Sequence, residues 1–251
     1  MKAVEYTKYG PPEVLQLKDI TKPIPKDNEV LIKTYATTVT AIDCTFRKGE
    51  PKFSRLFTGI TKPKNKTLGS EFAGKIEAVG KDVKLFKEGD KVIGTTPGYG
   101  SYSEYICLSV DKSTLANIPA DKSYEEAIAC CDGFLTSLPF LRDKGKIQKE
   151  QNVLIIGAAG GVGSAAVQLA HYFGAEVTGV CSTSGLELVK SIGADKIIYY
   201  TKEDFTKSGE TYNIIFDLVC KTTFSQRKNS LKKNGKFLHA AITLSIFPSV
   251  L

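Results

Sequence analysis

The stretch that most restricts this chain is Val153-Leu154-Ile155-Ile156-Gly157-Ala158-Ala159-Gly160-Gly161-Val162-Gly163. Its first four residues are consecutive apolar β-formers. They read as a strand covered on both faces, because a half-exposed strand would alternate. Beyond the glycines, Val162, Ala166, Leu169, Ala170 and Phe173 recur at helical spacing, and the pattern stops at Gly174. Where a buried strand turns through glycine into an amphipathic helix, backbone N–H groups and the helix dipole can meet a pyrophosphate. The flanking strand and helix give the glycines this meaning, since glycine triplets alone are common. Ala158, Ala159, Gly160, Gly161, Val162 and Gly163 are therefore the candidate cradle for a dinucleotide. Ala158 stands at the first glycine position of G-x-G-x-x-G, so the backbone there must take a φ that alanine tolerates.

The rest of the chain supports that placement. Strands are expected at residues 176–180, 196–199, 213–217 and 236–239, with helices at 186–192 and 223–232. Alternation of this kind implies an α/β fold with a parallel, doubly wound sheet. Residues 1–125 follow a different grammar. Short runs rich in β-formers (30–32, 74–79, 91–93, 102–106) are separated by turn signals such as Gly10-Pro11-Pro12 and Glu88-Gly89-Asp90. A helix capped by Ser123 is expected to open at Tyr124. The sequence thus divides into a β-rich domain at 1–125 and a dinucleotide-binding domain at 126–251.

The end of the second strand of such a unit selects the nucleotide. An Asp or Glu there would bind the ribose 2′-OH and repel a 2′-phosphate. This chain instead has Ser182, Thr183 and Ser184, with no acid before Glu187 and with Lys190 nearby. The balance favours NADPH over NADH.

Bulk properties exclude other classes. The 42% apolar and 24% charged content allows an ordinary core, and no apolar run is long enough to cross a bilayer. The start Met1-Lys2-Ala3-Val4-Glu5-Tyr6 reads as a strand and not a signal peptide, so a cytoplasmic protein is expected. The six cysteines lack C-x-x-C spacing, and five of them sit in apolar or strand-like surroundings and read as reduced, packing thiols. The net charge of +7 is scattered, and its densest runs (62–66 and 142–146) are broken by Pro, Gly or an acid, which disfavours nucleic acid. There is no G-x-S-x-G elbow and no G-x-x-x-x-G-K-[ST] loop.

Longer stretches carry a family likeness. They include Tyr9-Gly10-Pro11-Pro12-Glu13-Val14-Leu15, Leu68-Gly69-Ser70-Glu71-Phe72-Ala73-Gly74, Phe86-Lys87-Glu88-Gly89-Asp90-Lys91-Val92 and Leu188-Val189-Lys190-Ser191-Ile192-Gly193-Ala194-Asp195. With the glycine loop, they resemble the medium-chain dehydrogenase/reductase superfamily, in its zinc-free quinone oxidoreductase (zeta-crystallin-like) branch. The resemblance implies a GroES-like catalytic domain before a Rossmann domain. It also implies NADPH-dependent hydride transfer to a quinone, enone or similar small carbonyl compound. Zinc-type relatives carry Gly-His-Glu where this chain has Gly69-Ser70-Glu71, there is no four-cysteine lobe, and the chain has two histidines, His171 and His239. No metal is expected.

The same resemblance assigns residues. It makes residues 40–45 a substrate-side loop, with Thr40, Thr45 and Arg47 as hydrogen-bond donors and Asp43 orienting the loop. It sets Thr136, Val219 and Cys220 beside the nicotinamide, Cys220 where relatives have glycine, and Tyr200 beside the 2′-phosphate. Relatives form homodimers and continue well past Leu251, so a C-terminally incomplete Rossmann sheet lacking its dimer-edge strand is expected, with an exposed edge prone to association. Two alternatives stay open: an NADPH-binding sensor or RNA-binding protein without turnover, as the zeta-crystallin likeness allows, and a zinc-type alcohol dehydrogenase, which the shortage of ligands disfavours.

Overall fold

Residues 1–219 and 227–240 are described by the computed structural model, and the chain divides after Cys131 into two units, Met1–Cys131 and Asp132–Leu251. In the first unit, strands β1 (Lys2–Glu5) and β2 (Gln16–Asp19) form an antiparallel pair. The main sheet comprises β3 (Glu29–Ala36), β4 (Glu71–Val79), β5 (Lys91–Thr95), β6 (Tyr105–Ser109) and β7 (Leu115–Asn117), in the order β6-β3-β4-β5-β7 and antiparallel throughout. Alternate residues Val30, Ile32, Phe72, Ile76, Val92 and Ile106 meet in one core. Burying each such side chain contributes roughly 1.5–3 kcal/mol.

Three short helices complete this unit: α1 (Ala41–Lys48), α2 (Arg55–Thr58) and α3 (Tyr124–Ile128). As the sequence predicts, Ser123 caps α3. Its hydroxyl accepts the Glu126 N–H at 3.1 Å, and Glu126 accepts the Ser123 N–H at 2.9 Å. Ile128 then packs with Ala73 and Ile118, which keeps α3 with the antiparallel sheet. Two expectations are corrected. The strand foreseen at 102–106 begins at Tyr105, because the Tyr102 N–H is committed to Leu68 O and the Ser103 hydroxyl to Gly100 O. Of residues 40–45, foreseen as a loop, Thr40 caps helix α1 and 41–45 lie within it.

In the second unit, α4 (Cys131–Leu138) runs into a π-helical turn at Pro139–Gly145. Strands β8 (Asn152–Ile156), β9 (Glu176–Cys181), β10 (Lys196–Tyr199), β11 (Tyr212–Asp217) and β12 (Leu231–His239) alternate with α5 (Gly161–Tyr172) and α6 (Leu186–Ser191). The sheet is parallel, in the order β10-β9-β8-β11-β12. Val153 and Ile155 join one core with Ala166, Val167 and Ala170, while Leu154 and Ile156 join another with Tyr212 and Ile215. The strand is thus covered on both faces. Chain order reverses between β8 and β11, and at such a switch point a crevice opens beyond the strands' carboxyl ends.

The buried face of α5 is Gly163, Ala165, Ala166, Val167 and Ala170, rotated from the expected stripe through Val162, Leu169 and Phe173. Small residues let the helix approach the sheet, so they take the inner face and larger ones flank it. Of the helix expected at 223–232, residues 223–226 lie outside the described residues, Lys228–Ser230 form a short 3-10 turn, and Leu231 opens β12 instead. Leu231 pairs with Tyr212 and packs on its core, and the register then slips to join Ile214 with Lys236. Among the described residues, no helix is long and apolar enough to cross a membrane. Of the cysteines described, Cys131 and Cys181 are buried and Cys107 is half-buried, while Cys44 and Cys130 are exposed, so at least one of the five expected to pack does not.

Candidate functional site

The glycine loop leaves β8 through Gly157, whose φ of 89° requires glycine. The Gly157 and Ala158 N–H groups both donate to Val180 O at 3.0 Å, which ties the turn to β9. Ala158 is buried and keeps a negative φ, as its side chain demands. At Gly163 a Cβ would stand 2.0 Å from Gly157 O, so glycine there permits helix and turn to touch. Gly160 is the N-cap of α5 and supplies no side-chain hydrogen bond. The first N–H groups of the helix therefore point outward without an intrahelical partner. A Cβ on Gly161 would meet nothing within 4 Å, so the space above these donors is open. This open, donor-lined helix start fits a diphosphate.

Two further segments border the loop. Gly185 sits so close to Ala159 that an added Cβ would lie 2.5 Å from the Ala159 Cβ. The short helical turn Thr183–Gly185 is thereby held against the cradle. Ser182 Oγ and Ser184 Oγ are 2.9 Å apart. The Tyr200 N–H donates to Cys181 O at 3.4 Å, which brings the exposed Tyr200 beside the same strand end. Burial pushes the Cys181 thiol up, so it sits there as a neutral group. The rim is one of hydroxyls.

Across the switch point, the Leu218 N–H donates to Ile156 O at 3.1 Å, and Val219 Cγ2 lies 2.7 Å from where a Gly157 Cβ would be. Val219 thus walls the loop's first residue, while Cys220 lies outside the described residues. Thr136 is half-buried on α4. That helix approaches α5 through residues the sequence did not single out. Gly133 faces Gly161 O, 2.8 Å from a built Cβ, and the fully buried Ser137 donates its hydroxyl to Val162 O at 2.9 Å. Their signal was a pair of small residues one helical turn apart.

In the first unit, Thr40 and Asp43 form a capping box at the start of α1. Buried Asp43 accepts three hydrogen bonds: the Thr40 hydroxyl at 2.7 Å, the Thr40 N–H at 2.9 Å and the Gly69 N–H at 3.1 Å. Its charge beside the phenol adds to burial in pushing the Tyr102 hydroxyl well above its ordinary value. The Thr40 proton is therefore committed to Asp43. Thr45 is half-buried on the same helix. Arg47 is 7% exposed, and its buried Nη1 has no hydrogen-bond partner among the described residues. A buried guanidinium nitrogen without an acceptor is costly, which makes Nη1 a natural donor to an oxygen carrying negative charge.

Glu71 accepts the Thr38 hydroxyl. His171 is exposed on α5, and His239 ends β12. Among the described residues, no three His, Cys, Asp or Glu side chains gather in a way that could hold a metal ion.

Comparison with known proteins bears on both units. Residues 26–120 match the alcohol dehydrogenase GroES-like domain, and residues 161–245 match the zinc-binding dehydrogenase family. The chain is 36% identical to a 2-methylene-furan-3-one reductase of Solanum lycopersicum, over 87% of this chain and 57% of that protein. It is 32% identical to a human quinone oxidoreductase, over 95% of this chain and 72% of that protein. The structure of an Escherichia coli quinone oxidoreductase complexed with NADPH superposes with a TM-score of 0.83 and 29% identity, covering 99% of this chain and 78% of that one.

Proposed function

The chain belongs to the quinone oxidoreductase branch of the medium-chain dehydrogenase/reductase superfamily, and from that membership we propose that it binds NADPH at the switch point of its parallel sheet and directs a hydride to a quinone or conjugated enone. The observation that carries this reading is the bare start of α5, locked onto Gly157 through Gly163 and open above Gly161. The names of the relatives, a quinone oxidoreductase and a furanone reductase, supply the substrate class. The chain spans little more than half of the tomato relative. Bound NADPH supplies the hydride, and the protein's task is to position and polarise.

In this assignment the amides of Ala159, Gly161, Val162 and Gly163 hold the diphosphate, while Ala158 and Gly160, whose N–H groups are taken by Val180 O and Gly157 O, shape the turn beneath it. Ser182, Thr183, Ser184 and Tyr200 receive the 2′-phosphate, which no acid on that rim repels. Thr136 and Val219 border the ring. Thr45 and Arg47 donate to the substrate oxygen as charge builds there, a role that preorganised donors fill without a metal. Thr40 and Asp43 brace α1, which carries both. No step is given to zinc, because Ser70 offers a hydroxyl where an imidazole would be needed. The reading places the protein in the cytoplasm, with small molecules as its partners.

The test is loss of NADPH absorbance with a panel of small quinones and enones. Turnover that prefers NADPH to NADH and survives a chelator is expected. Failure to bind either nucleotide in calorimetry would overturn the proposal. One observation favours a second reading, a nucleotide-binding protein without turnover: the Thr40 hydroxyl proton is spent on Asp43. Tight NADPH binding with no turnover would support it, and salt-sensitive retention of RNA would then separate an RNA-binding protein from a sensor.

A further inference from the structure

Asp217 ends β11 with its side chain wholly buried. Its Oδ1 accepts the Val219 N–H at 3.0 Å. Its Oδ2 is paired with Arg227, which is itself 2% exposed, and His239 Nε2 lies 4.0 Å from the same oxygen. A carboxylate taken out of water is tolerated when it is paired and hydrogen-bonded on both oxygens. The strand end alone does not require this arrangement, because the Leu218 N–H is already satisfied by Ile156 O. What the carboxylate fixes is the next residue. With its N–H held by Asp217, Val219 sets its Cγ2 against the Cα of Gly157, in the space a Cβ would fill. The residue that opens the glycine loop is therefore walled by a side chain whose backbone is tied to a buried ion pair.

We infer that Asp217 is a positioning residue for the dinucleotide site: paired with Arg227, it holds Val219 on Gly157 so that the loop after β8 and residues Leu218 and Val219 after β11 form one fixed edge. This rests on the proposal that NADPH binds there. Asp217 is buried behind Val219 and acts through it. A merely structural role would lower stability without changing the affinity of folded protein. A positioning role changes affinity, and loses its effect once Val219 has no side chain to place.

The experiment is a double-mutant cycle on the full chain with Asp217→Asn, Val219→Gly and their combination, reading the NADPH Kd by fluorescence on material whose near-ultraviolet circular dichroism matches the unaltered protein. Misplacing a site edge by a fraction of an ångström is costly, so each single variant should raise Kd about tenfold, and the pair no more than about twofold beyond Val219→Gly. An unchanged Kd in either single variant, or effects that multiply in the pair, overturns the inference. If Asp217→Asn does not fold, Asp217→Glu takes its place in the cycle, keeping the charge while shifting the oxygen that holds the Val219 N–H, and the same outcomes decide. Absence of NADPH binding by the unaltered chain would fell the functional proposal and this inference together. Normal binding with unaffected variants would fell the inference alone.

Discussion

The Cα of Gly163 faces Gly157 O so closely that a methyl group on it would stand 2.0 Å from that oxygen. The three nearest atoms, Gly157 O, Gly157 C and Ala158 Cα, are all main-chain atoms, which cannot swing aside. Gly163→Ala is therefore expected to destabilise the protein by about 1–3 kcal/mol, as overpacking does, and to abolish NADPH-induced stabilisation. Gly161→Ala makes the contrast. Its Cβ meets nothing within 4 Å, so its melting temperature without ligand should match the unaltered chain while NADPH affinity falls. Thermal melts with and without nucleotide check both.

The hydroxyl rim offers a specificity test. Ser182→Asp sets a carboxylate at the end of β9, where it can accept from a ribose 2′-OH and repels a 2′-phosphate. The ratio of NADPH to NADH affinity should fall by about tenfold or more, the scale of one misplaced charge. Titration with both nucleotides measures it. An unchanged ratio would show that the 2′-phosphate lies elsewhere.

The α1 cap predicts a graded loss. Thr40→Ala removes one cap and should cost about 1 kcal/mol, with Thr40→Ser restoring it. Asp43→Ala also strands the Gly69 N–H, a buried donor, and should cost about 1–3 kcal/mol beyond that. Urea unfolding of the three variants ranks them.

Alkaline pH should weaken the first unit. Burial, with Tyr9, Tyr99 and Asp43 nearby, raises the Tyr6 hydroxyl from 10.0 to about 12. Between those values the unfolded chain has lost a proton that the folded chain keeps, so stability is full below pH 10.0 and declines as pH climbs toward 12. Tyr102 and Tyr99, also raised by burial, act in the same direction. Tyr6→Phe should make the decline in urea midpoint shallower.

Much of the second unit was legible because its signals are local. Four adjacent apolar residues could be buried on both faces only as a strand such as β8, and β10 spans the residues expected of it. The Ser123 cap was equally plain. Helix α1 carried a comparable sign, Thr40 followed three residues later by Asp43. Reading residues 40–45 by family likeness as a substrate loop obscured it. Helix α4 was missed because Gly133 and Pro139 look like breakers. Contacts of Gly133 and Ser137 with the start of α5 override that local preference. The burial of Arg47 and the pairing of Asp217 with Arg227 depend on residues brought together by the fold, and no spacing in the chain announces them.

The two-sided burial of β8 bears on how quickly a ligand would be captured. A loop sprung from a strand with no freedom to shift has already surrendered its entropy during folding, so arrival of a guest demands little further ordering. Association should then proceed in a single kinetic phase, and differences in affinity among variants should appear mainly in how fast the guest departs.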